Sequence, residues 1–433
     1  MNFDESLKYL YGLGNEVSAM KLGLENIGKL LTALGNPEKN FLKVQVAGTN
    51  GKGSTCAFLD SICVLAGIKT GLYTSPHLIS ITERIKIGGQ EISEKDFAHH
   101  ATKIKEISEK LLEIGDLEAL PTFFEQVTAI AISAFDEAKI DLAILETGLG
   151  GRFDATTAMK AEIVAITPID FDHQNILGNT LAEIAAEKAA IIRKDTRVVL
   201  ANQREEALEV ILKKCDEVGI KTINNCKIEL NAVDSINGKA IVTFITENEI
   251  YHDAHLGLRG RHQIENARLA ILLAEVLKND FNFTFSKFEI VEGLETAKHN
   301  GRLEFYKNIL FDGAHNVAGA KALRNYLDEF IKQPVTLVFG AMRDKDLSEI
   351  AAILFPKAET LILTKPNNER SMETSELLKI VPTTFNQKDV KLAETVAEAI
   401  ITAKVITKET ELILITGSLY LVGEAQEILK SAF

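Results

Sequence analysis

VQVAGTNGKGST, residues 44–55, carries a short apolar run (Leu42, Val44, Val46) into glycines at 48, 51 and 53, with Lys52 between the last two and Ser54-Thr55 closing the turn. An apolar segment with helical spacing, residues 56–66, follows. A strand, a glycine loop and a helix start in that order form a phosphate cradle. Glycines let successive backbone N–H groups turn inward on an anion, a lysine adds a point charge, and the helix N-terminus adds its dipole. The hydroxyls can hold Mg²⁺. The stretch departs from G-x-x-x-x-G-K-[ST], because position 46 is Val and Gly53 separates Lys52 from Ser54. Strand, lysine, hydroxyls and helix still fall in place for a triphosphate such as ATP.

Outward from the loop, buried-looking strands alternate with helices. The strands are 69–74, 141–146, 163–167 and 198–200; the helices are 94–115, 123–138 and 181–192. Strands without polar–apolar alternation indicate a mostly parallel sheet covered on both faces. Ligands of such sheets bind beyond the strand C-terminal ends. The cradle, Ser75, Glu146 and His173 all follow such ends, and the strand before His173 is expected beside that of Glu146. Two amphipathic helices are expected within 4–34, their apolar faces carrying Leu7, Leu10, Tyr11, Met20, Leu22, Leu24, Ile27, Leu30 and Leu31, with Gly35-Asn36-Pro37 ending the second. Asn237-Gly238 between two alternating runs predicts a hairpin, and a helix resumes over 266–277. From Arg302 a second set of strands and helices begins. The expected architecture is α/β throughout: an N-terminal P-loop domain over 1–297 with a small β region, a hinge at 298–301, and a smaller Rossmann-like domain over 302–433.

The chain of 433 residues is 46% hydrophobic and 25% charged, as expected of a soluble globular protein. Its net charge of −13 argues against nucleic acid or an anionic membrane as partner. Cys56, Cys63, Cys215 and Cys226 show no metal-binding spacing and are expected as reduced thiols. The start, MNFDESLKYLYGLG, lacks the basic and apolar regions of a secretory signal, and no apolar run is long enough to span a bilayer. A cytoplasmic, unanchored protein is expected.

Single residues stay open on chemistry alone. Glu146 ends an apolar strand, where it serves either as a cap or, beside a phosphate cradle, as the acid that reaches Mg²⁺. His173 is either a hydrogen-bonded structural residue or a metal ligand, although imidazole prefers softer ions than Mg²⁺. Lys188 is either a snorkelling surface lysine or a buried, reactive amine. Asp312 closes the run 309–311 before Gly313-Ala314-His315-Asn316 and suits a ribose or an amine, yet such turns are common. Arg302 can bridge to phosphates, and Asn266 is equally a helix cap. His77, His99, His100, His252, His255 and His299 read as structural or exposed. These residues reach as far as a two-domain, Mg²⁺- and ATP-dependent enzyme acting on a carboxylate or hydroxyl.

Taken together, the motifs resemble the folylpolyglutamate synthase/dihydrofolate synthase family of Mur ligase-like enzymes. The matching pieces are VAGTNGKGST (46–55), YTSPHL (73–78), ITERI (81–85), FFE (123–125), ILETGLGGRFDAT (144–156), ITPIDFDHQNILGNTLAEIAAEKAAII (166–192), HQIENARLA (262–270), GRLEF (301–305) and FDGAHN (311–316). The resemblance implies that Gly51, Lys52, Gly53 and Ser54 hold the ATP phosphates. It implies that Ser54, Ser75, Glu146 and His173 bind Mg²⁺, two ions in all, with Lys188 as a carbamate near the second. Asn266, Arg302 and Asp312 would contact nucleotide across the cleft, with His315 near them. A pterin would lie near Thr122, Phe123, Phe124 and Glu125 and near Arg152, Phe153, Asp154 and Ala155. Thr157, where many relatives carry Asn, puts the pterin side in question. The implied activity joins L-glutamate to tetrahydrofolate, dihydropteroate or both through an acyl phosphate, in a monomer. The alternatives are another Mur-like carboxylate–amine ligase and a P-loop protein that binds nucleotide without synthesis. A cell-wall ligase would need a further domain before the loop, and only 45 residues precede Val46.

Overall fold

The computed structural model describes residues 1–14, 23–235, 237–343 and 345–431. The apolar positions Met20 and Leu22 lie outside them. Strands β1 (Leu42–Ala47), β2 (Thr70–Tyr73), β3 (Ile85–Ile87), β4 (Gln90–Glu91), β5 (Leu142–Glu146), β6 (Ile163–Ile166), β7 (Arg197–Leu200) and β8 (Thr222–Ile223) form one sheet. Their order is β4-β3-β2-β5-β1-β6-β7-β8. From β2 to β8 every pairing is parallel; β3 and β4 add an antiparallel edge that the apolar pattern does not announce. Period-two geometry sends adjacent side chains to opposite faces, which is why the central strands are mostly apolar; Lys43 and Gln45 of β1 are buried exceptions, each held by hydrogen bonds. Leu142 and Ile144 enter one core with Phe58, Ile62 and Leu273, while Ala143 and Leu145 enter the other with Phe97, Ile130 and Phe135. The sheet is buried on both sides, as expected.

The helix Phe123–Ala138 has the bounds its periodicity predicts, fixed by a capping box in which Thr122 and Glu125 bond each other's backbone N–H. The helix after β1 differs. It runs Lys52–Leu65 and starts four residues earlier than expected, inside the glycine loop, with Gly51 at φ +89° as its cap. A positive φ there is why only glycine opens the helix at that point.

The hairpin at Asn237-Gly238 joins β9 (Cys226–Val233) to β10 (Ala240–Thr246), and β11 (Ile250–His255) completes a three-stranded antiparallel sheet. Gly238 sits so close to the helix Val317–Phe330 that a Cβ there would meet Tyr326 at 2.4 Å, and Asn237 O accepts from Tyr326 Oη at 3.0 Å. The third sheet contains β12 (Glu304–Tyr306), β13 (Ile309–Asp312), β14 (Val335–Phe339), β15 (Thr360–Thr364), β16 (Val390–Ala393) and β17 (Leu412–Thr416), ordered β12-β13-β17-β14-β15-β16. All its pairings are parallel except β12–β13. This smaller C-terminal α/β unit sets its strand ends against those of the first sheet. No helix among the described residues is long and apolar enough to cross a membrane. The four cysteines form no disulfide.

Candidate active site

A cavity of about 630 Å³ lies between the two α/β units, lined by the glycine loop, the ends of β5 and β6, the turn after β13 and the start of the helix His262–Phe281. Its floor is the loop itself. A Cβ on Gly51 would come 2.2 Å from Asn266 Oδ1, and one on Gly53 would come 2.6 Å from His299 and 3.2 Å from Glu146 Oε2. Both glycines are thus required by close approach. Lys52 Nζ is folded back on the carbonyls of Gly48 (3.2 Å) and Thr49 (3.1 Å). The Ser54 hydroxyl meets His299 Nδ1 at 3.2 Å and accepts from Gln263 Nε2 at 3.3 Å.

Glu146 is buried at the end of β5, and its Oε2 accepts the Ser75 N–H at 3.1 Å. Burial pushes its carboxyl upward, with Lys52, the Ser75 N–H and Arg302 opposing the rise. Hydroxyls at Ser54 and Ser75 and a carboxylate at Glu146 are hard oxygen donors, the kind Mg²⁺ or Mn²⁺ prefers. The residues present fit such an ion.

Lys188 is 4% exposed and donates to Gly48 O at 2.8 Å, so it is no snorkelling surface lysine. Burial, reinforced by the charge of Lys52, lowers its amine to about 7. Asn266 does not cap a helix. The helix begins at His262, which puts Asn266 in the second turn, facing Gly51 and donating to Gln263 Oε1 at 2.8 Å.

His173 is placed differently from the expectation. β1 separates β6 from β5, so the His173 loop is one strand removed from Glu146. His173 stands at φ +50° with Nε2 3.3 Å from Lys345 Nζ and 3.8 Å from Asp172. Asp172, which sequence reading passed over, is the centre of this side of the cleft. It accepts from Lys345 Nζ at 2.7 Å and from Asn316 Nδ2 at 3.0 Å, and His315 Nε2 lies 3.8 Å away. Burial works against its charge, but His315, Lys345 and His173 outweigh it and hold the carboxyl far below the usual range. Asn316 also exchanges bonds with Asn50 of the glycine loop, at 3.1 and 3.4 Å. One asparagine therefore joins the turn after β13 to both the loop and Asp172.

Arg302 stands beside Asp312 with Nη1 3.5 Å from Gly313 O. Both Asp312 oxygens accept backbone N–H groups, from Leu303 and Ala314, each at 3.0 Å, and burial raises its carboxyl. His315 Nδ1 lies 2.7 Å from Gly313 O. His299, read from sequence as structural or exposed, is in the cleft, and burial followed by the Arg302 charge lowers it to about 3. His262, similarly lowered to about 4, lines the same cavity. Both imidazoles are neutral at pH 7.

At the other end, Thr122, Phe124, Glu125, Phe153, Asp154 and Ala155 line the cavity. Phe123 and Arg152 do not. The Phe123 ring is buried against Tyr11, stacked at 5.7 Å, and Arg152 pairs with Glu187 at 2.8 Å on the outside. The Thr122 hydroxyl and the Asp154 carboxylate are spent on local caps. Thr157 faces away from the cleft. Its hydroxyl donates to Gly151 O at 2.7 Å and accepts from Gln45 at 2.8 Å, so it supports the second glycine loop from beneath.

Asn316→Asp keeps the side-chain oxygen that caps the helix Val317–Phe330 but replaces the donor to Asp172 with a second carboxylate. The expected result is a melting temperature near that of the parent and a larger radius of gyration by small-angle scattering. An unchanged radius would mean that Asn316 does not hold the two units together.

The Mur ligase middle domain family matches residues 46–274, and the Mur ligase glutamate ligase domain family matches residues 301–419. A Bacillus subtilis protein described as dihydrofolate synthase/folylpolyglutamate synthase is 34% identical over 420 residues, covering 95% of this chain and 96% of its own. A probable bifunctional folylpolyglutamate synthase/dihydropteroate synthase of Haloferax volcanii is also 34% identical, over 98% of this chain; the chain spans 50% of that longer relative. Among solved structures, Mycobacterium tuberculosis folylpolyglutamate synthase complexed with ADP superposes with a TM-score of 0.91 at 28% identity, covering 98% of each chain. A bifunctional folylpolyglutamate synthase/dihydrofolate synthase with Mn, AMPPNP and L-glutamate bound gives 0.86 at 27% identity, over 99% of this chain and 98% of the other.

Proposed function

The chain belongs to the folylpolyglutamate synthase/dihydrofolate synthase family of Mur ligase-like enzymes, and from that premise we propose that it is an ATP-dependent ligase that adds L-glutamate to a folate, to dihydropteroate, or to both. The observation that carries this reading is the single cleft into which the glycine loop, Glu146 and the turn bearing Asp312, His315 and Asn316 all open. A nucleotide-binding protein without synthesis would not need that second set of groups facing the first.

In this reading Gly51, Lys52, Gly53 and Ser54 cradle the triphosphate, and Asn266, Arg302 and Asp312 meet the nucleotide from across the cleft. Lys52 leaves the carbonyls of Gly48 and Thr49 to bond a phosphate oxygen, an exchange of neutral acceptors for charged ones that favours the bound state. The γ-phosphoryl passes to the substrate carboxylate, ADP leaves, and the glutamate amine attacks the acyl carbon, releasing phosphate and forming an amide. Lys52 and Arg302 spread the charge of the transferring group. Ser54, Ser75 and Glu146 would hold one Mg²⁺, with His173 and Lys188, as its carbamate, the candidates for a second. The ions supply charge neutralisation at the phosphates when bound. For His173 to serve, Lys345 must withdraw from its imidazole. His315, 3.8 Å from Asp172, would stand near the nucleotide contacts. Phe124 and Phe153 offer aromatic faces for the pterin, beside Thr122, Glu125, Asp154 and Ala155, with Phe123 and Arg152 supporting from behind.

Water must be excluded while the acyl phosphate exists. The units 1–297 and 302–433 would close about 298–301, with Asn316 as the latch. The chain would work as a monomer.

The test is purified protein with ATP, Mg²⁺ and labelled glutamate, offered dihydropteroate or tetrahydrofolate in parallel. Glutamate-dependent ADP release with label entering a pterin product is expected with at least one acceptor. ADP release indifferent to glutamate with both acceptors would refute the ligase.

A further inference from the structure

We propose that His99, His100 and Glu137 form a surface site for one borderline divalent transition metal, of the Zn²⁺ or Co²⁺ kind, that pins the helix Glu94–Glu113 to the helix Phe123–Ala138. Consecutive helix residues diverge by about 100° and do not normally face each other. Here the two imidazoles nevertheless converge, their ring centroids 5.1 Å apart and their planes at 72°. The Glu137 carboxylate, from the neighbouring helix, is what they converge on: its Oε2 lies 3.7 Å from His99 Nε2 and 4.0 Å from His100 Nε2. One ligand atom from each residue falls within 4.8 Å of the others.

Support behind the site is present as well. Ser133, one turn before Glu137, meets the buried His100 Nδ1 at 3.0 Å and so turns its Nε2 toward Glu137. Metal-binding histidines are commonly fixed in this way through the ring nitrogen that does not ligate. Bonds of about 2.0–2.1 Å in a tetrahedral shell put donor atoms roughly 3.4 Å apart. The two carboxylate–imidazole distances of 3.7 and 4.0 Å therefore have to shorten, and His99 and Glu137, with side chains 61% and 62% exposed, have the freedom to do so. Two imidazoles and one carboxylate select ions softer than Mg²⁺, leaving the fourth position to water. The site is separate from the cleft. Glu125 and Glu137 stand twelve residues apart on one helix, about 18 Å, and none of the three residues lines the cavity.

The experiment uses the full chain stripped with EDTA, titrated with Co²⁺ without nucleotide or Mg²⁺. One equivalent should bind with the intense visible absorption of a four-coordinate nitrogen–oxygen shell, and the melting temperature should rise by several degrees. His99→Gln and Glu137→Gln should abolish the band and weaken binding by more than the roughly 10–100-fold that an outer-shell change costs. Both variants should keep the metal-free melting temperature and the Mg²⁺-supported turnover. Glu146→Gln, which alters the cleft, should keep the band. No band in the parent protein, or a band lost in Glu146→Gln and kept in His99→Gln, would overturn the proposal.

Discussion

Lys52→Ala is expected to lower glutamate-dependent ADP release by about 10²–10³-fold, the cost of removing one donor that meets the charge developing on the transferring group. Little of this should come from instability. In the ligand-free protein the half-exposed Lys52 ammonium donates to two carbonyls of its own loop at 3.1 and 3.2 Å, bonds that water can take over when the side chain is removed. The variant should therefore melt near the parent temperature. A second signature separates this loss from simple damage. Lys52 is the largest influence opposing the upward push of burial on Glu146. Without it the carboxyl rises further, so the acid limb of the pH–rate profile should move to higher pH. A variant with parental turnover, or one whose acid limb stays in place, would remove Lys52 from the role proposed here.

Lys188→Met should lower turnover by a similar factor and also change how stability depends on pH. Methionine is unbranched and close in length, so it fills the same channel, but it gives up the bond to Gly48 O and the amine. In the parent, the Lys188 amine titrates at about 7 when folded and near 10.4 when unfolded. Between those values the unfolded chain binds the proton and the folded chain does not, so this residue makes stability rise with pH, by at most about 1.4 kcal/mol per unit. Below pH 7 both states are charged and its contribution is flat at its least favourable. The methionine variant lacks this slope. Urea unfolding between pH 6.5 and 9.5 should show the parent gaining on the variant as pH rises. Parallel curves would mean that Lys188 is not held neutral by burial.

The sheet scaffold was legible because burial on both faces leaves a mark that local sequence carries: apolar runs ended by glycine turns. The helix Phe123–Ala138 could be bounded from its apolar period, and the capping box that fixes its start lies within three positions of sequence. The glycine loop announced a phosphate site for the same reason, with every essential group inside eight residues. Errors began where backbone geometry depends on a distant neighbour. The helix start at Lys52 is set by Gly51 against Asn266, 215 positions away. The antiparallel edge of β3 and β4 is too short to show a period.

What sequence determined by itself was a P-loop α/β scaffold with a second α/β unit, an acid at the end of β5 and a loop able to hold a triphosphate, because each rests on contacts between near neighbours in the chain. Only the tertiary structure decided which groups share the cleft. Asp172 reaches Asn316 across 144 positions and Lys345 across 173, and His299 reaches Ser54 across 245. It likewise turned Phe123 into the core and Thr157 beneath its loop. A side chain's direction at such a place is fixed by packing between elements, and no local pattern encodes it.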